Sequence, residues 1–261
     1  MVAVTGIAVR AWYAWAPGMD TQRAWLQWAG AGSVASGVPA VSGVHDVEHD
    51  VVYDVVRAPA LPMMLRRRAS SLGQKILMAA LALGEAVQTG RYILASRHGE
   101  FSRQVGILDA LASAESPSPA EFTMSVHNAL AGLLSIHIGN TQGHTAIAAG
   151  ADTFGMALLE AVACLQQAPA DPVLLLYGDE PLPPPFDVYG ETDTAEPLVA
   201  AFALASPRAG EVRIVTEITH DHAGHGASGC MARDFLRFLL SEAAEGRSTS
   251  ERITWSWRRA A

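Results

Sequence analysis

Cysteine is scarce: the 261 residues contain two, Cys164 and Cys230, far apart and in no CxxC pair. This excludes a disulfide framework and a paired-cysteine zinc site, and it suits a reducing compartment, so a cytoplasmic location is expected. Charge is sparse as well, at 17% of residues, with a net charge of −8. Nucleic acid and anionic membranes both select positive surfaces, so neither is expected as the main partner. No uninterrupted apolar run reaches membrane-spanning length. The opening MVAVTGIAVRAWYAW lacks the charged and continuous apolar regions of a signal peptide, so neither secretion nor membrane insertion is expected. No GxSxG occurs, and Ser228 has no strand leading into it, which removes the hydrolase elbow.

Half of the positions are apolar, ample for one domain over residues 1–261 with a substantial core. Residues 2–15 are β-branched and aromatic and stop at Pro17-Gly18, a first strand; Asp20 or Thr21 then caps a short helix with Trp25 and Leu26. Residues 30–44 are rich in Gly, Ser and Ala and read as irregular chain. His45 and His49 lie four apart, a metal spacing, but Val44, Val47, Val51 and Val52 make the segment strand-like, and a solvated loop is preferred. From Arg66 an apolar-faced helix is expected through about Val87, then a strand at 91–96 and a helix at 101–114 with Val105, Leu108 and Leu111 inward. Residues 122–126 look extended. The helix at 129–138 is apolar on every side and must be buried, in the core or in an interface.

The run 173–177, VLLLY, reads as a strand buried on both faces. Five prolines follow between 181 and 197. Residues 200–206 and 212–218 look like two strands of a hairpin around Pro207-Arg208-Ala209-Gly210. An amphipathic helix at 231–244 and a strand at 253–257, with both tryptophans on one face, complete the chain. These alternating signals predict an α/β fold, a mixed central sheet with helices on both faces.

The centre of the sequence is Thr145-Ala146-Ile147-Ala148-Ala149, a strand, followed by a turn at 150–153 and a helix from Phe154. A strand, tight turn and helix start can hold a nucleophile where free N–H groups and the helix dipole lower a thiol pKa and receive an oxyanion. The place for that nucleophile is position 151. It is Ala151, between Gly150 and Asp152, and a methyl group cannot attack.

Around this turn, Ser125-Val126-His127-Asn128-Ala129, Ser135-Ile136-His137-Ile138-Gly139, Thr145-Ala146-Ile147 and residues 157–165 resemble the N-terminal half of β-ketoacyl synthases of the thiolase fold. Over roughly residues 60–205 the chain is similar to short ketosynthase-like chain-length factors of aryl polyene and related type II synthases. In the β-ketoacyl synthases a cysteine occupies the turn and accepts the acyl chain. The resemblance therefore implies a thiolase-like fold, no condensing activity of the chain alone, and no cofactor. It implies an active ketosynthase or a second copy as partner, and an acyl carrier protein. The second half of a full ketosynthase, with its two histidines and lysine, has no counterpart here, and His220, His222 and His225 lie in the wrong context to replace them.

Several residues carry two readings. Arg66, Arg67 and Arg68 are a solvated helix start, or a patch for an acidic carrier protein. Asn128 is a helix cap and His127 a packed side chain; alternatively residues 124–128, including Met124 and Ser125, border the partner's acyl tunnel, as the resemblance implies. Ile136 and Ile147 are expected at the pairing interface. Asp179-Glu180-Pro181 is a solvated turn, or the Asp-Glu-Pro of the short chain-length factors. His220, Asp221, His222, His225 and Cys230 fit no metal pattern, so no metal site is expected. The rival function is a decarboxylase or hydrolase of carrier-bound substrates with Asp152, His127 or His144 as base, which needs no covalent attachment.

Overall fold

Strand β4 (Val173–Asp179) lies at the heart of the molecule because the run VLLLY is apolar on both faces, and every residue of the strand is buried. Its neighbours are β2 (Arg91–Ala95), running parallel, and β5 (Leu198–Ala205), running antiparallel. The computed structural model describes residues 2–31, 60–190, 195–220 and 229–260. These form an eight-stranded mixed sheet, completed by β1 (Val2–Trp15), β3 (His144–Ile147), β6 (Arg213–His220), β7 (Glu245–Thr249) and β8 (Ile253–Ala260). The order is β3-β2-β4-β5-β1-β6-β8-β7, with β3, β2 and β4 parallel and the rest antiparallel.

Alternation along the central strands divides the core into two layers. Ile93, Leu175 and Phe202 face a cluster made with α1 (Gln22–Ala31), α8 (Thr153–Gln167) and α9 (Met231–Leu240). Leu94, Leu174 and Ala201 face the opposite layer, built by α2 (Met63–Arg68), α3 (Ser71–Ala82) and α7 (Ala129–Ile138). The first layer holds a chain of aromatic contacts, Phe154 with Tyr177 at 5.8 Å, Phe202 with Phe235 at 5.4 Å and Phe235 with Trp257 at 5.2 Å. Each such ring contributes about 1.5–3 kcal/mol by leaving water.

The expected long helix from Arg66 is divided. Ala69 turns extended, and Ser70 recaps α3 by accepting the Gly73 N–H at 2.9 Å. The arginine triplet is therefore the last turn of α2, where cations complement the helix dipole. A short α4 (Ala86–Thr89) follows. Residues 122–126, expected to be extended, belong mostly to α6 (Pro119–Ser125), because Ser118 accepts the Glu121 N–H and Pro119 fits the first turn. In α5 (Phe101–Ala112) Val105 is buried, but Leu108 and Leu111 are exposed rather than inward. Strands β5 and β6 are not a hairpin: β1 lies between them and pairs with both. Strand β7 carries no apolar alternation, and α9 stops at Leu240 where Arg259 donates to the carbonyls of Phe238, Leu239 and Ser241.

Candidate functional site

The strand, turn and helix around position 151 form as expected, with β3 ending two residues early at Ile147. Gly150 adopts φ +59°, a left-handed conformation that a side chain resists, and starts a 3₁₀ turn over Gly150–Asp152 that runs into α8. Thr153 clamps the turn: its hydroxyl donates to the Gly150 carbonyl at 2.7 Å and accepts the Ala149 N–H at 2.9 Å. Ala151 is partly exposed on this rigid corner. The side chain displayed at this clamped corner is a methyl.

The C-terminal strand closes one side. Trp255, fully buried on β8, donates its indole N–H to Asp152 Oδ1 at 2.7 Å. Its ring lies against Gly155, one turn further along α8, so closely that a Cβ there would come within 2.5 Å. Asp152 is thus already engaged.

A second polar cluster sits at the carboxyl ends of β2 and β4. Asp179 is 3% exposed, and its carboxylate accepts Ser96 Oγ at 2.8 Å and the N–H groups of Arg97 at 2.8 Å and His98 at 3.2 Å. Burial raises its pKa, against the opposing pull of those donors. Burial likewise raises Glu180, which accepts from Ser102, and pushes the Tyr177 phenol well up, with Cys230 and Asp179 adding to it. Tyr177 Oη and Cys230 Sγ are 3.7 Å apart, and burial also raises the Cys230 thiol.

The structure brings His127, Asn128 and His144 into one neighbourhood. His127 Nε2 bonds the Ser96 carbonyl at 2.8 Å, and Asn128 Nδ2 lies 3.4 Å from His144 Nε2. Asn128 occupies the cap position of α7 but makes no side-chain cap bond, because its amide faces His144. Ser125 is buried and donates to the Phe122 carbonyl; Met124 packs at the margin of the α3 layer. In α7, Leu130, Ala131, Leu133 and Leu134 are buried in the core, whereas Ile136 is 81% exposed in the chain by itself. Ile147 is half-buried on β3, one of the two edge strands of the described sheet. Arg66, Arg67 and Arg68 are exposed, far in sequence from the turn, with Met63 and Met64 exposed beside them.

His45, His49, Asp221, His222 and His225 lie outside the described residues, and His220 is exposed at the end of β6. Among the described residues no group of three metal-ligating side chains assembles, and no helix is long and apolar enough to cross a membrane. Sequence reasoning missed Trp255 as a partner of the turn and Ser96 as a partner of Asp179. The first depends on how α8 packs against β8 and the second on the pairing of β2 with β4, and a single sequence carries no mark of either.

A mixed sheet between two helical layers, with a strand, a left-handed glycine and a helix start meeting at residues 147–153, is a thiolase-like, ketosynthase-type fold. The family model for the β-ketoacyl synthase N-terminal domain matches residues 25–258, and the chain belongs to that family. A chain in the structure of the ketosynthase ApeO in complex with its chain length factor ApeC, from Xenorhabdus doucetiae, is similar at 26% identity and a TM-score of 0.78. That match covers 97% of this chain and 99% of the other. The fold is shared with the type II polyketide ketosynthase complex AntDE with the carrier protein AntF, at 14% identity and a TM-score of 0.57 over 85% of this chain and 70% of that one. The ishigamide ketosynthase/chain length factor shares it at 14% identity and a TM-score of 0.52, over 91% and 69%. A comparison with curated proteins returned no match.

Proposed function

We propose that this chain is a non-catalytic ketosynthase-like subunit, a chain-length factor, that pairs with an active β-ketoacyl synthase and shapes its acyl tunnel in polyene or fatty-acid-like biosynthesis. The observation that carries the reading is Ala151 in a turn otherwise built for a nucleophile. Full-length similarity to a chain in a complex of a ketosynthase with its chain length factor supports it.

The mechanism is steric. Edge strand β3 and the exposed Ile136 offer an unpartnered face to an active ketosynthase or a second copy. Leu108, Leu111, Phe122 and Val126 are exposed on and beside α5 and α6. Bulk placed at the end of a partner's tunnel stops an acyl chain, since each methylene buried is worth about 0.8 kcal/mol and an overlap costs more. Arg66, Arg67 and Arg68 with the neighbouring Met63 and Met64 suit an acyl carrier protein, through charge and a small apolar contact. The scheme places a single domain, residues 1–261, in the cytoplasm and calls for no metal or cofactor.

The rival hydrolase or decarboxylase reading meets three engaged groups. Asp152 holds Trp255, His127 Nε2 holds the Ser96 carbonyl and His144 Nε2 faces the Asn128 amide at 3.4 Å. Co-expression with a cysteine-bearing ketosynthase from the same organism, followed by assay with malonyl- and acyl-carrier proteins, tests the function. The expected outcome is a stable complex whose product length depends on this chain, and no turnover by the chain alone. Turnover without a partner, or no complex at micromolar concentration, overturns it.

A further inference from the structure

The Asp179 carboxylate accepts from three donors, and nothing in the steric scheme uses it. It ends β4, the central strand, and is itself out of reach of solvent at 3% exposure. Oδ1 accepts Ser96 Oγ at 2.8 Å, Arg97 N–H at 2.8 Å and His98 N–H at 3.2 Å, while Oδ2 shares the Arg97 N–H at 2.9 Å. Ser96 Oγ passes the arrangement on by accepting the Gly99 N–H at 2.8 Å. A single side chain therefore fixes the loop after β2 through both its backbone and its serine.

That loop in turn holds the α6–α7 junction. The Ser96 carbonyl can only accept, so His127 Nε2 must carry the proton in their 2.8 Å bond. Gly99, at φ +60°, brings its backbone beneath the imidazole; a Cβ there would stand 3.1 Å from His127 Cδ2. Because α6 ends at Ser125 and α7 starts at Ala129, His127 lies in the connection between two helices and is a point where their relative placement is pinned.

We infer that Asp179 is a positioning residue: through Ser96 and His127 it sets residues 124–128, and so the shape this chain presents to its partner's acyl tunnel. The inference rests on the chain-length-factor reading for its consequence, though not for its geometry. Charged acceptors bind N–H groups more strongly than neutral ones, so an amide in place of the carboxylate weakens the array and sets an N–H₂ against one of its donors without changing its size.

The test uses Asp179→Asn, His127→Leu and the double variant in the full chain. In the isolated protein, Asp179→Asn is expected to lower amide exchange protection at 97–99 by about tenfold or more, the loss of one charge-assisted bond. It should also change the ¹⁵N signature of the His127 Nε2–H tautomer. Co-expressed with the ketosynthase, each single variant is expected to co-purify in wild-type yield yet shift or broaden the product lengths. The double variant should do no more than the stronger single one. Unchanged exchange and tautomer in Asp179→Asn overturn the positioning role whether or not a ketosynthase binds. Altered exchange with wild-type products, or additive effects in the double variant, overturn its link to the tunnel. Failure of the wild-type chain to bind a ketosynthase overturns the function and leaves the exchange arm to judge the geometry.

Discussion

Trp255 and Asp152, 103 residues apart in sequence, are joined by an indole N–H to carboxylate bond of 2.7 Å, which fastens the last strand to the corner that carries Ala151. The contact draws on both the ring and the N–H, since Gly155 leaves no space between α8 and the indole.

Trp255→Phe keeps most of the packing and removes the donor, so it is expected to cost about 1.5–3 kcal/mol, the range for a hydrogen bond to a charged group. Gly155→Ala forces the ring away and should cost about 1–3 kcal/mol. Urea denaturation reads both. A change within about 0.5 kcal/mol for Trp255→Phe, the scatter of ordinary surface substitutions, removes the bond from the account of the fold.

An acyl donor is expected to leave this polypeptide unlabelled while labelling the cysteine of a ketosynthase partner. Ala151→Cys should create a thiol that iodoacetamide modifies at least about tenfold faster than Cys164 or Cys230, because the start of α8 favours a thiolate. Both native thiols are raised by burial. Equal rates at all three cysteines contradict the nucleophile-cradle reading of the turn.

Association should separate two isoleucines. Ile136 is solvated in the free chain, so Ile136→Asp is expected to change stability by no more than about 0.5 kcal/mol while abolishing pairing. Ile147 packs on the α8 layer, and Ile147→Asp should lose both pairing and stability. Sedimentation and light scattering with a co-expressed ketosynthase decide it; a wild-type complex that survives Ile136→Asp moves the interface elsewhere.

Stability should fall on the alkaline side. The buried Tyr177 phenol holds its proton far above the usual range, whereas the unfolded phenol releases it near pH 10. Above about pH 10 the folded state binds more protons than the unfolded one, so unfolding becomes easier by up to about 1.4 kcal/mol per pH unit for this group. Tyr177→Phe should flatten that slope in denaturation curves between about pH 9 and about pH 11. An unchanged slope assigns the alkaline loss to other groups.

The sequence made the local elements legible wherever one residue type dominates. Residues 173–177 could only be an interior strand, and Gly150 announced the turn before α8. The family match extends to residues 25–258, beyond the 60–205 where the resemblance is readable by eye. Failures came where a distant partner decides. Leu108 and Leu111 have the spacing of a core stripe, but α5 packs chiefly on α6 and leaves them outside. Pro207-Arg208-Ala209-Gly210 is a valid hairpin signal, and only the arrival of β1 between its two strands annuls it. The Ser118 to Glu121 cap of α6 was written in the sequence, but β-branched and aromatic neighbours concealed it.

The central place of β1 sets an order of events during synthesis. Of the described strands it is made first, yet the two that flank it, β5 and β6, start at residues 198 and 213. At about 5–20 residues per second, roughly 10–40 s pass on the ribosome before both neighbours exist. Throughout that interval a strand carrying Trp12, Tyr13 and Trp15 waits with both edges open, attractive to any other extended chain. Residues 2–15 therefore need shelter from other extended chains until β5 and β6 have both been made.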